Sequence, residues 1–265
     1  MLITLSQYKS WTNTTTSDND TLLTLLISAC SNEVEAYCDR TFNAAQYIEW
    51  IKTQPCSNLY NVRQYPIQYI QFIGEAETAI SLTNTDNVSY NILIKDKNMY
   101  VTPDDTLTTA IYDLSNVATD TVTEVAGVLD ALSNVSATVS STVNQNAKLL
   151  KEYNYMLDNS IDMIGAVKSE STAELIDDRT IRMDCGGTYC IVYYAGYTTI
   201  PDDLQKTVAN IVRDALDVAL GDVNSNIKSE SETNYSYSLQ DTVDFKAIVF
   251  NYRGALDVYR NISIV

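Results

Sequence analysis

The sequence predicts an α+β fold: a mainly helical core of two long amphipathic helices plus a C-terminal helix, a small antiparallel sheet, and an inserted helical segment. Three observations carry that expectation. Apolar residues recur at steps of three and four through residues 18–38 and 204–218, the spacing that lines one face of a helix. Short apolar runs with β character fill residues 47–101 and 180–194. Between them, a seven-residue apolar spacing runs through 118–139. The domain organisation read from this is a discontinuous core, residues 1–102 and 166–265, with residues 103–165 inserted as a helical segment.

The first helix rests on Leu23, Leu26, Cys30, Val34 and Tyr37, with Asp18 or Asp20 available to cap its start. Tyr47–Ile51 and Leu59–Val62 follow as strands, and Pro66 marks a sheet edge or a strand entry. Ile67–Phe72 runs on as a strand towards Gly74. Ser89–Val101 reads as two strands around a polar turn at Lys95–Asn98. In the central segment, Ala118, Val125, Leu132 and Val139 form a heptad seam. Three readings of it stand: an amphipathic helix packed on its own domain, an oligomerising or projecting helix, and a β-rich segment, because Val and Thr are poor helix formers.

Thr180–Met183 and Thr188–Tyr194 read as strands joined by a tight hairpin turn at Cys185-Gly186-Gly187. The second long helix rests on Leu204, Val208, Ile211, Ala215 and Val218; Pro201 sits at its start, Asp202 and Asp203 favour the positive end of its dipole, and Gly221 can terminate it. A short helix over 244–259 and an extended apolar tail, Asn261–Val265, complete the chain.

Composition narrows the function. The 265 residues carry 17 Lys plus Arg against 34 Asp plus Glu, a net charge of −17 with no histidine. Binding to nucleic acid by phosphate neutralisation needs clustered cations, so that class is disfavoured. Without histidine there is no Ser/His/Asp or Cys/His arrangement and no His-bearing zinc site. The five cysteines form no C-x-x-C pair and read as reduced thiols. Cys185 and Cys190 alone do not fill a tetrahedral metal shell. The acidic pairs Asp104-Asp105 and Asp177-Asp178 lack calcium-loop spacing, and Glu33 and Glu35 point to different helix faces. No catalytic, metal or cofactor site is expected. The most apolar stretch, Leu22–Cys30, is far short of the ~20 residues a membrane helix needs.

Four landmarks in order resemble the head–tail connector (adaptor) proteins of tailed bacteriophages. Leu2-Ile3-Thr4-Leu5 with Tyr8-Lys9, leading to Tyr37-Cys38-Asp39-Arg40-Thr41-Phe42, is similar to that family's first helix and its exit. Tyr65-Pro66-Ile67-Gln68-Tyr69-Ile70 resembles its proline-bearing strand. Tyr193–Tyr197 with Ile200–Leu204 resembles the junction before its second long helix, and Ser229-Glu230-Ser231 with Tyr235–Ser238 resembles the following loop. The resemblance covers about residues 1–100 and 175–265; the compact family members lack the central segment.

The resemblance implies a structural virion protein of the phage neck, assembled in the bacterial host cytoplasm. It implies a ring homo-oligomer, usually of twelve copies, joined to the portal on one side and to the tail or next neck ring on the other, with DNA passing through unbound and no membrane involved. An acidic subunit around a channel would repel duplex phosphates; equally, the charge could serve only to keep the free subunit in solution. Nineteen tyrosines against four phenylalanines suit an assembly protein, because tyrosine buries a large ring and keeps a polar tip. The candidate contact to a neighbouring copy or the portal is the C-terminal stretch, through Tyr235, Tyr237, Phe245, Phe250, Ile262, Ile264 and Val265; the competing reading folds this tail back on its own core. The alternative function is a collar or tail-fibre attachment protein acting through residues 115–145, with fibre or collar proteins as partners of the Ala118, Val125, Leu132 and Val139 seam.

Overall fold

The computed structural model describes residues 1–54, 59–85, 88–106, 108–168, 173–220 and 243–261. In chain order its elements are α1 (Leu5–Thr12), α2 (Asp20–Cys38), β1 (Ala45–Thr53), β2 (Leu59–Asn61), β3 (Ile67–Asn84), β4 (Tyr90–Lys95), β5 (Asn98–Pro103) and β6 (Ala110–Asp113). Then come α3 (Val122–Asp130), β7 (Val135–Val139), β8 (Tyr153–Leu157), β9 (Ser160–Lys168), β10 (Ala173–Leu175), β11 (Thr180–Met183) and β12 (Gly187–Ala195). The helices α4 (Asp202–Ala219), α5 (Phe245–Asn251) and α6 (Arg253–Leu256), with a 3₁₀ turn at Asp257–Tyr259, end the described chain. They form two units. Unit 1 comprises Met1–Ala45, Arg63–Pro66 and Ala195–Val265; unit 2 comprises Gln46–Val62 and Ile67–Tyr194.

Unit 1 is the helical part. The steps of three and four put Leu23, Leu26, Ile27, Cys30, Val34 and Cys38 of α2 into one core with Leu204, Val208, Ile211, Val212 and Ala215 of α4. Each Leu, Ile or Val among them, fully removed from water, contributes roughly 1.5–3 kcal/mol. α1 is fixed at its start by a capping box in which Thr4 and Gln7 exchange hydrogen bonds. Two polar groups inside this core are satisfied: the Ser31 hydroxyl accepts from the Leu2 N–H at 3.0 Å, and the Gln205 amide donates to the Ile200 carbonyl at 2.7 Å. The residue preceding α2 is Asn19 and not an aspartate; Asp20 lies in the first turn and pairs with Lys9 at 2.6 Å.

Unit 2 is built from strands. A five-stranded sheet runs β1-β12-β3-β7, with β9 also on β3; a three-stranded sheet runs β10-β11-β2 and a four-stranded one β6-β5-β4-β8. The long β3 carries an irregularity between Thr78 and Ile80 where its register with β9 shifts. Alternation places Ile92 and Ile94 of β4, Met99 and Val101 of β5, and Tyr155 and Leu157 of β8 in one core with Ile80, Leu82 and Met163, and α3 adds Val122, Val125, Ala126 and Leu129.

The expected fold class is therefore corrected. Among the described residues 38% are strand and 31% helix, so the fold is sheet-rich with several antiparallel sheets, not a mainly helical core with one small sheet. The inserted segment is not one helix. Among its described residues the helical parts are α3, Val122–Asp130, capped by Thr121 and Glu124, and one 3₁₀ turn at Ala147–Leu149; Asn134 takes a positive φ and Val135–Val139 pairs with β3 as a strand. The seven-residue spacing is thus shared between a helix and a strand, and the Val- and Thr-rich sequence after Asn134 follows its β preference. The expected hairpin also gives way: β11 pairs with β10 and β2, while β12 lies in the five-stranded sheet, so Gly186-Gly187 links two sheets. The last helix is two short helices and a turn. Among the described residues no helix is long and apolar enough to cross a membrane.

Candidate functional site

The landmark residues of the connector resemblance that lie in unit 1 converge on the exit of α2. That helix ends where Asp39 adopts a left-handed conformation, φ 49°, and the chain turns through Arg40 to Phe42. The turn is held from both sides. Glu35 accepts the Phe42 N–H at 3.1 Å through its side chain and the Arg40 N–H at 3.2 Å through its carbonyl, while the Gln64 side chain accepts from the Thr41 N–H at 2.9 Å.

Arg40 is 3% exposed. Its guanidinium carbon lies 3.5 Å from the ring centroid of Tyr65, 4.9 Å from that of Phe42 and 5.6 Å from that of Tyr197, and its Nη2 donates to the Tyr65 carbonyl. Nε and Nη1 make no hydrogen bond among the described residues, so the ring faces supply most of what stabilises the buried charge. Phe42 and Tyr197 stack at 6.4 Å, and Tyr259 meets Phe42 edge-on at 5.8 Å. Backbone bonds tie the same segments: Tyr197 N–H to the Phe42 carbonyl at 2.7 Å, Ala44 N–H to the Tyr197 carbonyl at 3.1 Å, and Gly196 N–H to the Pro66 carbonyl at 3.0 Å.

The C-terminal segment straps across this cluster. The Tyr259 hydroxyl sits 2.7 Å from both carboxylate oxygens of Asp203, in the first turn of α4. Burial first, and then that carboxylate, push the phenol well above its ordinary range. The Tyr65 hydroxyl donates to the Tyr259 carbonyl at 3.1 Å, Tyr37 to Asp257 at 2.7 Å, Tyr252 to Asp214 at 2.6 Å, and the Asn261 N–H to the Cys38 carbonyl at 2.8 Å. Burial, followed by the Asp214 hydrogen bond, pushes the Tyr252 phenol up to about 12. As far as Asn261, the tail folds back on its own core.

Of the proposed contact residues, Phe245 is half-buried against the α2–α4 core, and Phe250 is 53% exposed with the Arg253 guanidinium 4.5 Å from its ring centroid. Tyr235, Tyr237, Ile262, Ile264 and Val265 lie outside the described residues. Of the proposed seam, Val125 is fully buried inside unit 2, Leu132 and Val139 are half-buried against the same core, and Ala118 is exposed. The structure does not align these four on one open helical face. Arg40, Tyr65 and Asp203 stand among the sequence landmarks, but the sequence does not show that Tyr259 links Asp203 to the Arg40 cluster. The available signal was an arginine two residues past a helix end, followed two residues later by an aromatic.

Among the described residues no group of three or more His, Cys, Asp or Glu is placed to hold a metal. Cys30, Cys38 and Cys190 are buried, and burial pushes each thiol up to about 12, whereas Cys185 is exposed. A maleimide at pH 8 should therefore label Cys185 in the native protein and reach the other three only after unfolding. Peptide mass mapping reads this directly, and rapid native labelling of Cys190 would contradict it. Cys56 lies outside the described residues.

The family model for head completion proteins matches residues 1–97, from α1 to the β4–β5 turn. No curated protein matches the chain. Among solved structures, a chain in the neck of an empty GTA particle computed with C6 symmetry aligns at 9% identity and a TM-score of 0.35, covering 100% of this chain and 92% of that one. A likeness of that size supports no statement about this fold. Over its first 97 residues, then, the chain is similar to head completion proteins.

Proposed function

We propose that the chain is a ring-forming connector of the neck, in twelve copies, that binds the portal on one side and the tail or the next neck ring on the other and leaves a channel for DNA. The observation that carries this is the head completion match over residues 1–97, which spans α1, α2 and the first strands. The match ends just before residues 103–165, consistent with that segment being an addition to a connector core. The net charge of −17 suits a channel wall that repels duplex phosphates. The contact to the portal is made by the C-terminal segment through Phe250 and the tail residues Ile262, Ile264 and Val265, because the 245–261 strap buries Ile248, Val249 and Leu256 in its own core and leaves Phe250 and Val258 exposed.

The test is a phage lacking this gene, complemented by the full chain or by one ending at Asn261. Without the protein, heads should accumulate that fail to join tails; the truncated chain should fold but not co-purify with the portal. Tailed, infectious particles formed without the protein would overturn the function. Normal portal association of the truncated chain would overturn the tail contact alone.

A further inference from the structure

We propose that the two free edges of the four-stranded sheet, β6 and β8, join neighbouring copies head to tail into one continuous antiparallel sheet. The inference rests on the ring reading above and adds the surface that closes it.

Strand direction comes first. β6 is antiparallel to β5, β5 to β4 and β4 to β8, so with four strands the two edge strands run in opposite directions. A second copy in the same orientation can therefore place its β8 beside β6 and continue the antiparallel order. Repetition of one head-to-tail contact by rotation is what a ring requires. The three-stranded sheet lacks this property: β10 and β2 are both antiparallel to β11 and so parallel to each other.

The second observation is the chemistry of the outer face. Register places Ile111, Tyr100, Leu93 and Asn154 in one row, with Thr102, Asn91 and Met156 in the next. Among the described residues the paired registers put two charges on that face, Lys95 and Asp113, both at one end, where Glu152 just before β8 also accepts the Asp96 N–H at 2.9 Å. Unit 2 as a whole carries 19 Asp plus Glu against 8 Lys plus Arg, a net −11. A face nearly free of charge on so acidic a body is where another acidic copy approaches with least repulsion, and interface centres are depleted of charge in the same way. The edges themselves expose apolar side chains, Ile111 at 63% on β6, Tyr153 at 60% and Met156 at 54% on β8. Soluble proteins usually guard such edges with lysine, proline or a covering element.

The experiment is disulfide trapping in assembled necks, in a Cys56→Ser, Cys185→Ser background. Ile111→Cys is combined with Asn154→Cys for a level register and, separately, with Met156→Cys for a two-residue stagger. Within one copy the paired positions are three strand spacings apart, about 14 Å, too far for an internal bridge. Oxidation should give a ladder of covalent multimers in one of the two double variants, and none with Ile111→Cys alone. If the protein is present in necks but neither double variant ladders, the edge contact is wrong and the ring reading stands. Dimers from Ile111→Cys alone would show a two-fold contact and overturn the head-to-tail proposal. Absence of the protein from necks would overturn the ring reading, and the edge contact with it.

Discussion

Gly196→Ala should destabilise unit 1 by about 3 kcal/mol or more, read as a lower urea midpoint with an unchanged slope. Gly196 has φ +104°, a conformation that side-chain-bearing residues hold only at a cost of about 1–3 kcal/mol. A Cβ there would also lie 2.6 Å from the Asn43 carbonyl oxygen, 2.8 Å from its carbon and 2.9 Å from the Ala44 Cα. These are backbone atoms, so relief requires moving the 42–44 segment and with it the bonds from Tyr197 and Ala44 that hold Phe42 beside Arg40. Gly254→Ala is the matched control. Nothing lies within 4 Å of its added Cβ, and in helix α6 alanine should be neutral or stabilising by up to ~1 kcal/mol. Equal midpoints for the two variants would show that the Gly196 junction is not the constraint described.

Removing residues 245–265 should have the larger effect and leave unit 1 unfolded. The deletion takes away Val249 and Leu256, 1% and 0% exposed, together with Ile248 and the tyrosine bonds to Asp203 and Asp214. Leu256→Ala alone should cost about 2–5 kcal/mol, the range for a leucine truncated inside a packed core. A chain ending at Asn261 keeps all these contacts and should melt as the full chain does. Cooperative, wild-type-like unfolding of the 1–244 chain would show that the strap is an accessory and not part of the core.

The helices of unit 1 were legible because α2 and α4 bury one face each, so their 3.6-residue period is written in Leu23, Leu26, Val34 and in Leu204, Val208, Ile211. The central segment was not, because seven residues is two turns of helix and also accommodates a helix, a turn and a strand; Val125 and Val139 fit both. The Gly186-Gly187 pair reads as a hairpin turn because nothing nearby in the sequence shows that β12 joins β1 and β3, strands more than a hundred residues away. The Arg40 cluster was hidden for the same reason: Phe42, Tyr65 and Tyr197 are ordinary residues singly, and only the fold brings their rings around the Arg40 cation.

The order in which the two units draw on the chain bears on its synthesis. Unit 2 is encoded between Gln46 and Tyr194, interrupted only by four residues, and everything it needs has been translated before α4 begins. Unit 1 must wait: α2 emerges early with its apolar side exposed, and its mate α4 arrives more than 160 residues later, so closing that long loop is a late step. During translation, α2 is thus the natural target for a chaperone, and a nascent chain cannot present a finished unit 1 to an assembling particle until its last helices have been read.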